Sequence, residues 1–368
     1  AHNNVAIGDE ALQSCVTGSD NTAVGRRALK VNTASSNTAF GADALLANTT
    51  GQYNTALGAY SSQSNTTGTN NTAVGYIALR DTTTGSHNTA VGEEALKVNT
   101  TGDSNVAIGR NSLRANTTAS NNTAIGDNAL LSNVTGVDNT AVGSACLDAN
   151  TGNYNTGVGK GSLTANTTGQ QNTALGLSSM ITNTTGDFNT AVGANALYSN
   201  TTADNNTAVG RAALFANTAA YNTAVGDLAL YANTTGASNT AVGRNCLSAN
   251  TTGEYNTAVG ALALDAVTTS SNNTAVGYSA LTTNTGGNNT GIGYKALEAN
   301  TSGADNVALG TGALTANTTA DGNTAVGKDA LNDNTDGHSS VAVGAFALDA
   351  NTTGDNNTAI GYASLSGN

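Results

Sequence analysis

Proline and tryptophan are absent from this chain, methionine occurs once, aromatic residues make up 4% and charged residues 10% of the 368 positions. A sequence so poor in large side chains cannot fill an ordinary globular core, which leaves a thin body lined by small residues. Basic residues are also scarce. A formal charge of −12 from 12 Lys and Arg against 24 Asp and Glu excludes the clustered positive surface that nucleic acids need. No apolar run approaches the ~18 residues of a membrane-spanning helix, so no membrane insertion is expected. No signal peptide is visible, and a chain that starts at Ala1 rather than Met reads as processed or partial. Three cysteines cannot pair completely. Cys146 and Cys246 fall on the same position of units six apart, roughly 29 Å at ~4.8 Å per strand, so they read as buried small residues rather than a disulfide.

Catalytic chemistry is missing too. His2, His87 and His338 are scattered over loop positions, acidic pairs such as Asp9-Glu10 and Glu93-Glu94 stand on exposed corners, and neither a calcium-binding Gly-Asp repeat nor a phosphate loop occurs. The sequence therefore calls for no enzyme activity, no cofactor and no metal. The Asn-Thr-Thr triplets match an N-glycosylation pattern only because they are built into the repeat.

What is present is repetition. Asn-Thr-Ala-Val-Gly or a close variant recurs from Asn4 to Gly361 at a spacing of 17 residues that drops four times to 16, giving 22 units. A period of that length marks coils of a stacked solenoid rather than separate domains. The expected fold is all-β: a parallel β-solenoid of about 22 coils over residues 1–368 as one domain, about 100 Å long at ~4.8 Å per coil. Abundant Gly, Asn and Thr suit tight corners, and regular apolar positions argue against disorder.

Numbering each unit from its first Asn, position 4 is always Val, Ile, Leu or Phe and position 2 is Thr or Val, so alternation predicts that both face inward. Position 9 is Leu except at Ser62 and Met180, and with positions 10 and 11 it reads as a second short strand. Gly at position 5 in all 22 units implies a corner with positive φ or a close backbone approach. Asn at position 1, and at position 12 except for Cys15, Thr82 and Val267, predicts two ladders of stacked amides. Position 3 is Ala in 20 units and Gly in two, and the same alternation points it outward. The expected self-association strip is thus Ala23, Ala39, Ala56, Ala73, Ala90, Ala141, Gly157, Ala191, Ala241 and Gly291, flat enough for another backbone to approach. Aromatics at the last position, Tyr53, Tyr154, Phe188, Tyr221 and Tyr255, are read mainly as packing on the neighbouring coil, with sugar contact as the alternative.

The stretches Asn4-Val-Ala-Ile-Gly8, Asn105-Val-Ala-Ile-Gly109 and Ser340-Val-Ala-Val-Gly344, each with a small residue and Leu three and four places after the Gly, resemble the head repeats of trimeric autotransporter adhesins. Repeats of bacterial surface and phage fibre proteins are similar. The resemblance covers essentially the whole chain and implies a parallel β-roll, side-by-side homo-oligomers such as a trimer, and an extracellular or cell-surface location. That family's unit is shorter than 17 residues, and no neck, coiled-coil stalk or anchor pattern occurs in these 368 residues.

Charge and ends add a second mode of assembly. Residues 1–114 carry a net charge of −1 and residues 115–368 of −11. The terminal coils, with Asn4, Val5 and Ile7 at one end and Ile360, Leu365 and Asn368 at the other, carry no caps and are expected to stack head to tail into a filament. The functional expectation is an extracellular structural or adhesive fibre whose partner is itself, with a host surface, matrix or carbohydrate as further candidates. The alternatives are an ice-binding solenoid and a phage tail-fibre or carbohydrate-binding adhesin. Ice binding is disfavoured by the inward reading of position 2.

Overall fold

The computed structural model describes residues 1–367, with 22 strands of three residues each and, among the described residues, no helix. The chain is a parallel β-solenoid that divides into two compact units, Ala1–Asp187 and Phe188–Asn368. The first holds β1 (Val5–Ile7) to β11 (Thr173–Leu175) and the second β12 (Thr190–Val192) to β22 (Thr358–Ile360), one strand per coil. Within each unit every strand pairs in parallel with the next in register, position on position, as in Thr38↔Thr55, Ala39↔Ala56 and Phe40↔Leu57, or Thr223↔Thr240, Ala224↔Ala241 and Val225↔Val242.

The strand occupies positions 2 to 4 because that is the one β-branched, alternating stretch of the repeat. Gly at position 5 ends it. Its φ is +136° at Gly58 and +142° at Gly243, where side chains are strained, and a Cβ there would lie 2.4 or 2.5 Å from the carbonyl oxygen of the Gly one coil on. Both reasons expected for this Gly therefore hold. Two turns follow, closed by Ala44 N–H to Gly41 C=O at 3.4 Å and Asn48 N–H to Leu45 C=O at 3.2 Å.

The second strand expected at positions 9 to 11 does not form; those residues lie in turns. Leu at position 9 sits in the left-handed region, Leu29 and Leu45 both at φ 50°, which a strand cannot accommodate. A non-Gly residue held there costs about 1–2 kcal/mol. Full burial of the Leu side chain in the interior coils, as at Leu29 and Leu45, worth about 1.5–3 kcal/mol, offsets it. Alternating polarity at positions 9 to 11 thus arises from a tight turn that drops one side chain inward.

The core of each coil is built from the Asn at position 1, the small residue at position 3, Ala, Ser or Cys at position 8, the Leu at position 9, the Asn at position 12 and the small residue that follows the Thr pair. In the coil 54–70 these are Asn54, Ala56, Ser61, Ser62, Asn65 and Gly68, all buried. The Asn ladders expected from the sequence are present. Asn54 accepts the Asn71 backbone N–H at 3.0 Å and donates through Nδ2 to the Gly68 carbonyl at 2.8 Å. Asn65 donates to Asn48 Oδ1 at 2.7 Å and to the same Gly68 carbonyl at 3.0 Å. Two buried amides therefore converge on one carbonyl, satisfying groups that would be costly unpaired. The 16-residue coils lose one residue of the Thr pair and keep this knot, with Asn139 and Asn150 both donating to Gly152 at 2.9 Å.

Candidate interaction face

Side chains alternate along the three-residue strand, so the sequence alone permits positions 2 and 4 inward with 3 outward, or the reverse. The reverse is found. Ala23, Ala39, Ala56, Ala73, Ala90, Ala141, Ala191 and Ala241 are fully buried, and Gly157 and Gly291 lie buried at the same position. These residues are core, and the expected self-association strip is not on the surface. Room inside the coil decides it. At Gly157 an added Cβ would lie 2.5 Å from Cys146 Sγ, and at Gly291 3.1 Å from Leu281 Cγ. The interior has space for a methyl group, at some coils for less, while the two larger strand residues turn out.

The outward face of each unit consequently carries two parallel ranks, Thr at position 2 and an aliphatic or Phe residue at position 4, at ~4.8 Å spacing along the axis. Phe40, Leu57, Ile108, Ile125 and Leu175 in the first unit, and Val242, Val259, Leu309 and Val343 in the second, are exposed, Phe40 by 56%. Thr22, Thr55, Thr140, Thr207 and Thr240 are half-buried, and their hydroxyls make no hydrogen bond within the described residues. The position-2 hydroxyl, expected inside, is therefore an open donor and acceptor on the surface. The Thr at position 13 behaves differently, since Thr49 and Thr66 donate through Oγ1 to the position-13 carbonyl of the next coil at 3.0 and 2.9 Å.

No charged residue occurs at positions 2 to 4 of any coil. Ion pairs gather at positions 6, 7 and 10 instead, such as Arg27 with Asp43 at 2.6 Å and Arg211 with Asp227 at 2.9 Å. Asp43 is buried, and its hydrogen bond holds the Arg27 guanidinium above its usual pKa. Charge is thus displaced from the half-apolar sheet face of each unit.

In the first and last of the described coils Val5, Ile7, Ile360 and Leu365 are open to solvent, Ile7 by 60% and Ile360 by 72%. Asn4 is half-buried, and Asn368 lies outside the described residues. The last-position aromatics Tyr53, Tyr154, Phe188, Tyr221 and Tyr255 are more than half exposed. Position 4 is the surface residue that sequence reasoning misplaced. Its signal was size tolerance, since Val, Ile, Leu and Phe interchange there while position 3 admits only Ala and Gly. Comparison with protein-family models and with curated proteins finds no match to this chain.

Proposed function

We propose that this protein is a non-catalytic structural or adhesive element of an extracellular or cell-surface fibre, assembled from copies of itself. The observation that carries the reading is the uncharged rank of Val, Ile, Leu and Phe at position 4, present in every coil of each unit. A contiguous exposed apolar stripe of this kind marks an association surface in a soluble protein. Copies pack side by side through this face, the aliphatic residues interdigitating and the unpaired Thr hydroxyls bonding across or to trapped water. The likeness of the repeat to adhesin heads supports the same arrangement, three chains around an apolar seam.

Sedimentation equilibrium of the 368-residue chain tests the lateral mode. The expected mass is a small integral multiple of 36.2 kDa. Replacing Val142, Val192 and Val242 by Glu reduces it to one chain with an unchanged circular dichroism spectrum. A wild type that is monomeric at all concentrations overturns the reading.

Ice binding is the second reading, favoured by one observation: the Thr rank faces outward on a parallel sheet. Against it stand Phe40, Leu57 and Leu309, which break the flatness of the neighbouring rank. Thermal hysteresis that disappears when Thr207, Thr223 and Thr240 become Lys would establish it, and its absence would remove it.

A further inference from the structure

Position 10 carries Tyr198, Phe215 and Tyr231 in three successive coils of the second unit. Their rings form one stack, with centroids 4.9 and 5.1 Å apart and planes 14° and 17° from parallel. The next two coils place Ser248 and Asp265 there, so the aromatic run stops and Tyr231 remains 39% exposed. A groove of about 490 Å³ lies along this step, walled by Phe215, Tyr231, Ser248 and Asp265 on one side and by position-7 residues including Asn195, Leu228 and Asn245 on the other. It spans the coils from Asn195 to Asp265, four steps or about 19 Å at ~4.8 Å each.

The groove combines an aromatic surface with amides, one paired guanidinium and one carboxylate. Arg211 at its edge is held by Asp227 at 2.9 Å, and the Asp265 carboxylate accepts from the Ser248 hydroxyl. Arg211 is thus neutralised, and Asp265 leaves the groove with a single acceptor carboxylate. The unit around it is acidic, with 4 basic and 12 acidic residues over 188–368, so an anionic ligand is repelled. What matches is a flat, uncharged molecule with an apolar face and hydroxyls at its edge, whose C–H face stacks on a π surface while amides and carboxylates meet the hydroxyls.

We propose that this groove binds a linear neutral carbohydrate, one sugar ring continuing the aromatic stack over Ser248 against Tyr231, with Asn245 and Asp265 taking its hydroxyls. The site is on a different face from the Thr/aliphatic ranks and does not depend on self-association.

The test is binding of the labelled full chain to an array of neutral pentasaccharides from β-glucan, xylan, mannan and chitin, with heparin as the anionic comparison. The expected result is binding to at least one neutral series, weakened at least tenfold by Tyr231→Ser. That variant introduces the residue the next coil already uses, so the fold is kept. Ser248→Tyr extends the stack into the groove and abolishes binding by occupying the ligand's place. Tyr255→Ser, which removes an exposed ring elsewhere in the unit, leaves it unchanged. No binding to any neutral series, binding to heparin alone, or binding that survives both Tyr231→Ser and Ser248→Tyr overturns the proposal.

Discussion

A buried amide ladder is only as good as its weakest rung. Where position 12 is not Asn the donor to the preceding coil is lost, and the two coils concerned show it: Asn65 Oδ1 faces Thr82, Asn250 Oδ1 faces Val267, and both oxygens, with Thr82 Oγ1, are buried without a partner. Leaving such a group unsatisfied costs about 1–3 kcal/mol. Thr82→Asn and Val267→Asn should each stabilise the protein by about that amount in denaturant unfolding, and no gain in either would mean that the ladder contributes little. Size is matched as closely as polarity. The Cβ that Gly157→Ala adds would meet Cys146 Sγ at 2.5 Å. The substitution should cost about 1–3 kcal/mol, and Cys146→Ala should recover most of it, a coupling that a double-mutant cycle measures. Cys146 and Cys246 also set an alkaline limit. Burial pushes both thiols up to about 12, whereas in the unfolded chain they ionise near 9.0. The folded state thus retains protons that the unfolded state releases, so stability is unaffected by these thiols below pH 9 and falls from there toward pH 12. The same burial keeps them unreactive to thiol reagents in the native state at neutral pH. Cys146→Ala/Cys246→Ala should flatten the alkaline fall in unfolding free energy.

At the scale of the coil, the fold was legible because the period, the Gly at position 5 and the two Asn positions each demand one local structure. The second strand and the direction of the first were not. Leu45 and its neighbours read as strand by polarity, but the left-handed turn that buries them leaves no mark on an alternation pattern. Ala56 and Leu57 show the other difficulty. Hydrophobicity says that Leu57 avoids water without saying whether the cover is its own coil or another molecule, whereas the confinement of position 3 to Ala and Gly reports the narrow interior directly. Coil length is the tolerant variable. The 16-residue coils shorten the Thr pair and nothing else, so deleting Thr67 should leave the thermal transition within about 0.5 kcal/mol of wild type, as for surface changes generally. Deleting Thr72, inside a strand, turns Ala73 out and Val74 in within that coil and should lower the thermal transition far more. Comparable melting of the two deletions would contradict the coil assignment.

For the molecule as a whole, the composition that excludes a globular core also explains its chemistry. A chain with few charges and few aromatics places its charges and, apart from Phe40, its aromatics outside the strands, as in the Arg27–Asp43 pair and the Tyr198–Phe215–Tyr231 stack, and leaves the sheet face of each unit mainly to Thr and aliphatic residues. That division separates the proposed assembly face from the proposed ligand groove. The candidate self-association surface was legible only as to the strand that bears it, because the choice between two alternating faces depends on interior volume, which appears once the coil is closed.

The most direct measurement is the native-state labelling rate of a cysteine placed on that face, Val209→Cys, followed against protein concentration, with Cys146 and Cys246 as buried internal references. The account predicts rapid labelling in dilute solution that slows severalfold as concentration rises and neighbouring copies cover the face, while the two reference thiols stay unlabelled throughout. Labelling of Val209→Cys that is as slow as the references at every dilution would place position 4 inside the coil, and fast labelling independent of concentration would leave the face with no second copy to cover it.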